Sequence, residues 1–465
     1  MRIRTKKWAK PELAACDYFV DNPLDRKGKW NRFFAKKQPI HLDLGCGKCT
    51  FLAELAYRNK DVNYIGVDIS YDILGVARRN ISERFGDEKV ENVALLSYNI
   101  EKISDFIDES EKVDRIYINF CNPWQKSRCH KRRLTHTRQL ENYKKILSEN
   151  GEIWFKTDDD NLFLSSIRYF NEAGFEIYEE TRDLNSLPNT GNILSEHEVM
   201  FESQGIKTKA LKARLKKTEL IENAMRYCGE IMLKAERTEE MVDEKSGKAN
   251  FVTTYDKLVQ ETLKEKLGRI MPEAHFVGEE EDIHESIESG YAFIVDPIDG
   301  TTNFIRDYHT SSISVGLLKD GEPVYGAVYN PYLNEMFTAE KGQGAFVNKK
   351  PIKVSGNNLE NSIVLFGTSP YYPELSKKSF DLAYDYFTKS LDVRRSGSAA
   401  IDLCSVASGR ADLFFELKLS PWDFAAGSII ITEAGGKITQ LDGSPLTYDK
   451  PCSVVASNGI VEILN

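Results

Sequence analysis

Along residues 39–160 short apolar runs alternate with segments of helical periodicity. PIHLDLGCG precedes TFLAELAYRN, VNYIGVDIS precedes DILGVARRNISERF, and NVALLSYNI, VDRIYINF and GEIWFKTD follow, separated by helix-length pieces such as TRQLENYKKILSEN. This alternation predicts a parallel, doubly wound α/β sheet that binds ligands at the carboxyl ends of its strands. After about residue 205 the pattern changes. A basic stretch leads into an amphipathic helix over roughly 218–240, and residues 313–355 alternate in the manner of antiparallel hairpins, with turns at Asp320-Gly321, Gly342 and Asn348. GSAAIDLCSVASG, ADLFFEL and WDFAAGSIIITEAGG then read as helix, strand and helix, closed by Gly435-Gly436. Two different α/β domains are predicted, and no internal repeat relates them.

The length agrees, since 465 residues exceed one ordinary core at roughly 150 residues per domain. With 41% hydrophobic and 29% charged residues the composition is that of a folded protein. No apolar h-region follows the basic MRIRTKKWAK, and no apolar run is long enough to span a membrane, so a cytoplasmic location is expected. Eight cysteines are too sparse for a disulfide scaffold and fit a reducing compartment. Cys46-Gly-Lys-Cys49 forms a CxxC, but a zinc reading needs a second ligand pair. The net charge of −9 is unevenly spread: Lys and Arg nearly balance Asp and Glu over residues 1–205, and the acidity lies beyond. Residues 206–217, IKTKALKARLKK, carry six basic residues and no acidic one. They are expected to be a basic linker between domains 1–205 and 218–465, with a solvated helix as the plainer reading.

Two sites stand out. In the first, His41-Leu-Asp-Leu-Gly-Cys-Gly47 ends a strand in a glycine turn, and Asp68 ends the next strand. An acid there suits a ribose diol, and Thr50 in place of a third glycine favours a nucleoside-sized ligand such as S-adenosylmethionine over NAD. Further on, Asn122-Pro123-Trp124 closes a strand and five Lys or Arg follow between Lys126 and Arg133. Such a loop beside the ligand edge would neutralise phosphates and position a nucleic acid, with Trp124 as a stacking face.

The order of MRIRTKKWAKPEL, HLDLGCGKCTFL, NYIGVDIS, NFCNPWQKSRCHKRRLTH, FKTDD and GNILSEHEVMF resembles that of tRNA (guanine-N7)-methyltransferases over roughly residues 1–205. The resemblance implies a Rossmann-like methyltransferase domain with tRNA as partner. It implies that Asp43, Gly45, Gly47, Asp68, Asn99 and Asn122 hold S-adenosylmethionine, with Asn122 also catalytic. Lys126, Asp158, Ser195, Glu196 and Glu198 would bind tRNA and its guanine. Three positions depart from the family: Asn122 and Asn99 replace acids, and Cys49 replaces glycine. Asn122 keeps a hydrogen-bonding edge but lacks the charge that would favour a cationic methylated purine, so slower turnover is expected.

The second site is FIVDPIDGTTNF, where Asp296 and Asp299 flank a proline turn at the end of an apolar strand. Two acids so close repel unless cations lie between them, and hard oxygen ligands suit Mg²⁺. Gly278-Glu279-Glu280 and Trp422-Asp423 supply further acids. Together these resemble the inositol monophosphatase family from about residue 218 to the end. That resemblance implies a layered α/β domain and makes Glu279, Asp296, the Ile298 carbonyl, Asp299 and Asp423 magnesium ligands, with Asp256 contributing to a third ion. Thr301 would hold the attacking water alongside Glu279, while Gly397, Ser398, Ala399 and Glu416 would border a small phosphomonoester. It also implies a homodimer through this half.

The expectation is thus a fusion of two enzymes. Its rival is an RNA-binding module without activity, joined to a sugar-phosphate phosphatase or a nucleotide 3′-phosphatase.

Overall fold

The computed structural model describes residues 5–188, 191–236, 242–244, 251–281, 285–370 and 372–464. The chain divides into two compact units, Met1–Lys216 and Lys217–Asn465.

The first unit is built on eight strands: β1 (Phe19–Val20), β2 (Ile40–Leu44), β3 (Asn63–Asp68), β4 (Val93–Ser97), β5 (Val113–Asn119), β6 (Leu147–Thr157), β7 (Phe175–Thr181) and β8 (Lys209–Leu215). Their order is β1-β4-β3-β2-β5-β6-β8-β7. The first six run parallel, and β8 pairs antiparallel with both β6 and β7. β2 through β4 are almost wholly buried, as strands covered on both faces should be. The order reverses between β2 and β5, the place where a doubly wound sheet opens a crevice.

The expected linker at 206–217 is corrected. Leu211, Ala213 and Leu215 are buried at every second position, so residues 209–215 form a strand inside the sheet. The six cations hide this alternation from a charge-based reading, and five of them are neutralised locally. Lys207 pairs with Asp183, Lys209 with Asp160, Lys212 with Glu179 and Arg214 with Glu176, while Lys217 pairs with Glu273 at the start of the second unit.

In the second unit the hairpins fall where the turn residues predicted. Asp320 and Gly321 take φ of 51° and 80°, and Asn348 and Lys349 take 47° and 63°, the left-handed pair that a tight two-residue turn requires. A seven-stranded sheet runs from His275–Gly278 to Lys350–Ile352, and a five-stranded mixed sheet contains Ile363–Phe366, Leu413–Leu419 and Cys452–Ser457. Helices Ala399–Ala407 and Pro421–Glu433 share one core with both sheets. Helices Lys217–Leu233 and Thr254–Ile270 share another core with the larger sheet. Gly316 and Gly326 allow this packing: a Cβ on Gly326 would lie 2.4 Å from the Ala426 carbonyl oxygen.

Candidate active sites

In the first unit the glycine turn after β2 bends over the end of β3. Gly45 and Gly47 adopt φ of 84° and 55°, and the amides of Gly45 and Cys46 donate to the Val67 carbonyl. The Gly47 amide donates to Asp68 Oδ2 at 3.3 Å, and Ser70 N donates to Asp68 Oδ1 at 2.9 Å. Cys49 ends the turn at φ 56°, in the left-handed region that a glycine would enter without strain. Asp43 is buried and its Oδ1 has no partner. Burial first, then the charge of Asp68, raise its pKa to about 7, while Lys156 opposes the rise. A buried carboxylate oxygen without a donor fits a ligand that brings one, as the cationic, hydroxyl-bearing S-adenosylmethionine does. Asn99 is exposed, and its Oδ1 caps the following short helix by accepting from Glu101 N at 3.0 Å.

The loop after β5 is fixed from within. Asn122 Oδ1 accepts from Trp124 N at 2.9 Å, and Arg133, buried to 2% exposure, donates from Nε to the Pro123 carbonyl at 2.8 Å. The cationic count therefore drops by one, because Arg133 is a strut. Lys126, Arg128, Lys131 and Arg132 are exposed, and none has an acidic partner among the described residues; Arg132 lies 5.2 Å over the Trp124 ring. Asp158 is close enough to Cys121 for its charge to bear on that thiol, which places it at the base of the loop.

The expected guanine-binding run is also held by contacts within the fold. Ser195 and Glu198 form a reciprocal capping box at the start of helix Glu196–Glu202. Glu198 is fully buried, accepting from Lys156 Nζ at 3.2 Å and from Asn192 Nδ2 at 2.8 Å. Both its oxygens are thereby occupied, so it organises the segment from inside. Glu196 is exposed and pairs with Lys48 in the glycine turn at 2.7 Å. His197, the third residue of that run, is exposed and stacks on Phe120 at 5.9 Å. Two further residues were passed over. Lys156 is a buried cation, and Asn119, the last residue of β5, has both amide atoms buried without partners. The sequence signal for both is their place, at or beside a strand end next to the crevice.

In the second unit a bulge positions the acids. Asp296 pairs with Ser314 but Asp299 with Ser312, so three steps on one strand match two on its neighbour. The extra residue lets both carboxylates serve one site, where an unbroken strand would send residues three apart to opposite faces. Asp423 joins them from the first turn of helix Pro421–Glu433, its Oδ2 accepting from Ser420 N at 2.7 Å. Carboxylate oxygens of Asp296, Asp299 and Asp423 all lie within 4.8 Å of one another. Burial comes first among the causes that raise all three, with the charge of Glu279 next for Asp296 and Asp423; Asp299 reaches about 6. An acidic, oxygen-only donor set destabilised in its ionised form fits a hard divalent cation.

Asp299 has a second task. Its carboxylate accepts from the amides of Ala399 at 3.3 Å and Ala400 at 2.8 Å and from the Ser398 hydroxyl, so it caps helix Ala399–Ala407. Gly397, at φ 86°, Ser398 and Ala399 do line the cavity, but the Ser398 hydroxyl and the Ala399 amide are directed at Asp299. Thr301 Oγ1 lies 3.2 Å from the Ile298 carbonyl and 3.3 Å from Asp256 Oδ1. Asp256 is buried and also closes a capping box with Thr253; burial raises its pKa to about 6. Among the described residues it stands outside the cluster of three. Glu416 accepts from Ser369 N at 2.7 Å, and its carboxylate packs against Gly367, where a Cβ would lie 1.8 Å from it and force the Glu416 side chain to shift. Asp402, missed in the sequence, is a further buried acid in the lining, raised to about 8 chiefly by burial.

The inositol monophosphatase family model matches residues 216–464, and a methyltransferase family model matches residues 37–211. The tRNA (guanine-N(7)-)-methyltransferase of Clostridium beijerinckii is 54% identical over 213 residues, 45% of this chain and 97% of that one. The chain belongs to both families. The Ruminiclostridium cellulolyticum methyltransferase is 48% identical over 219 residues, 46% of this chain and 93% of that one. Among solved structures, the inositol monophosphatase from Anabaena is 33% identical, covering 52% of this chain and 90% of that chain with a TM-score of 0.46. This two-family chain is a fusion, and an inactive RNA-binding front half is not favoured by such identity along nearly whole enzymes.

Proposed function

We propose that the fused chain methylates guanine N7 of tRNA with S-adenosylmethionine and hydrolyses a small phosphomonoester of the inositol phosphate class with Mg²⁺. The observation that carries the proposal is that each half joins a ligand-ready strand end to elements of complementary charge. In the first unit a buried, unpartnered Asp43 oxygen stands in the same sheet crevice as a loop with four unpaired cations. In the second, three acids converge in one cavity.

For methyl transfer, S-adenosylmethionine supplies the electrophilic methyl carbon. Guanine N7 already has a lone pair, so this chain has to align it rather than deprotonate it. We assign Asp43 and Asp68 to the donor, with the amide of Gly47 holding Asp68 in place. Lys126, Arg128, Lys131 and Arg132 meet tRNA phosphates, Trp124 and His197 offer faces for stacking, and Asn122 and Asp158 flank the base.

For hydrolysis, Mg²⁺ supplies charge neutralisation and a more acidic water. We assign its ligands to Glu279, Asp296, the Ile298 carbonyl, Asp299 and Asp423. Thr301 can give its proton to Asp256 or to the Ile298 carbonyl, which leaves its oxygen free to accept from a water. That geometry orients the water while Glu416 receives substrate hydroxyls. We also read a homodimer through this half, with Phe380, Tyr384 and Phe387 of helix Pro373–Phe387 and nearby Leu391 as an exposed apolar face. Among the described residues no helix is long and apolar enough to cross a membrane.

Two assays on the full chain test the proposal. One follows labelled methyl from S-adenosylmethionine into unmodified tRNA and identifies the base; the other follows Mg²⁺-dependent phosphate release from inositol 1-phosphate. N7-methylguanosine and released phosphate are expected. Absence of either product would remove that half of the assignment.

A further inference from the structure

This inference rests on the phosphatase reading and concerns what else the substrate carries. The cavity measures about 550 Å³, and much of its lining is acidic. Among the lining residues six are acids, and Arg395 and Lys418 are the two cations. Neither pairs with a carboxylate among the described residues, whereas the adjacent Arg394 pairs with Asp392. Lys418 is held in place by its surroundings. Its ammonium lies 3.9 Å from the centroid of the Tyr372 ring, an interaction that favours a cation without using its hydrogen-bond donors. Ser369 ties the Tyr372 loop to the Lys418 strand: its hydroxyl donates to the Lys418 carbonyl at 3.2 Å and accepts from the Lys418 amide at 3.1 Å. The Ser369 amide also donates to Glu416. Ser369 itself has φ 42°, so the loop takes up a left-handed serine to make these bonds.

Glu416 is the acid that senses Arg395 electrostatically, yet it forms no ion pair with it. Burial favours the uncharged form of Glu416, so it is a poor counter-charge for either cation. Two cations lining one cavity therefore have no carboxylate partner among the described residues, and a guanidinium and an ammonium facing the same space are a donor set for phosphate.

We propose that Arg395 and Lys418 form a second anion subsite, and that the preferred substrate is a polyol or sugar carrying a second phosphate besides the one hydrolysed. The scissile phosphate lies at the acid cluster, ring hydroxyls face Glu416, and the second phosphate lies against Arg395 and Lys418, with Tyr372 limiting access of water.

The test uses full-length protein with Mg²⁺ at fixed ionic strength, comparing kcat/KM for phosphate release from inositol 1-phosphate and inositol 1,4-bisphosphate. The bisphosphate is expected to be favoured by about tenfold, the scale of a charge-assisted contact. Arg395→Ala and Lys418→Ala should each pull the bisphosphate-to-monophosphate ratio toward one, and Lys418→Arg should restore most of it. A wild-type ratio near one, or a ratio that neither alanine variant changes, would overturn the second subsite and leave the phosphatase reading standing. Release from neither substrate would overturn the phosphatase reading itself.

Discussion

Both halves place paired acids at strand ends, and they differ in how the charge is balanced. In the first unit a buried cation, Lys156, acts on Asp43 and is also bonded to Glu198, while backbone amides serve Asp68. In the second, Asp296, Asp299 and Asp423 face one another, and no cation is among the main influences on them. An internal cation lets the first site keep part of its charge without a ligand. The second relies on protonation, helix amides or external cations. The lesson is that similar acids at similar places become a site for an organic cation or for metal ions according to whether the fold supplies a counter-charge.

The sharpest break of the comparison is at Asp299. Asp299→Ala should lower phosphate release on the order of a thousandfold and leave methyl transfer unchanged. Because Asp299 also caps helix Ala399–Ala407, Asp299→Asn serves as the second variant. It keeps a side-chain oxygen for the helix amides but removes the charge, so it should fold normally and still be inactive. Loss of both activities would show that the two sites are not independent.

The counter-charge in the first unit can be removed next. Lys156→Met leaves Glu198 buried without its ion pair, a change that typically costs about 3–5 kcal/mol. Denaturant titration of the full chain should show one transition shifted strongly and a second nearly unmoved. An unshifted curve would mean that Lys156 is dispensable and the contrast between the halves is false.

Asp43 offers a pH test of the same idea. Its pKa in the folded protein is raised to about 7, so ionisation opposes folding. The stability it contributes is fully present below about pH 4 and is lost as pH rises towards 7. Donor binding requires the opposite state, since only the carboxylate accepts fully. Affinity for S-adenosylmethionine should therefore rise with pH through about 7, measured by calorimetry. Asp43→Asn should flatten that profile and weaken binding by about tenfold or more.

What the sequence made legible follows from the range of the interactions involved. Asp296 and Asp299 are three residues apart, and their approach depends on a local bulge after an apolar strand, so the site could be read from one short motif. The turns at Asp320-Gly321 and Asn348 were equally local. Asp299 capping Ala400, 101 residues away, could not be read, because nothing near either residue signals the other. The capping role of Glu198, by contrast, was legible: its three-residue spacing from Ser195 is that of a capping box. Strand β8 was hidden because a stretch of six basic residues looks like solvated surface until the acids of β7 are seen beside it.

The smallest expected effect is at Asn122, and it bears on what a fixed charge adds to the first site. Asn122 Oδ1 accepts from Trp124 N, a bond that an aspartate would keep. Asn122→Asp therefore preserves the turn and restores a negative charge at the base of the loop. N7 methylation makes the purine cationic, and a nearby carboxylate stabilises that product and the transition state leading to it. The site is exposed and lies in a loop with four unpaired cations, so solvent and those cations screen much of the gain. A rise in kcat of about two- to fivefold is expected, with little change in KM for tRNA, in steady-state methyl transfer to unmodified tRNA. A fall in kcat would show that the amide, by donating a hydrogen bond, contributes more to this site than a charge would.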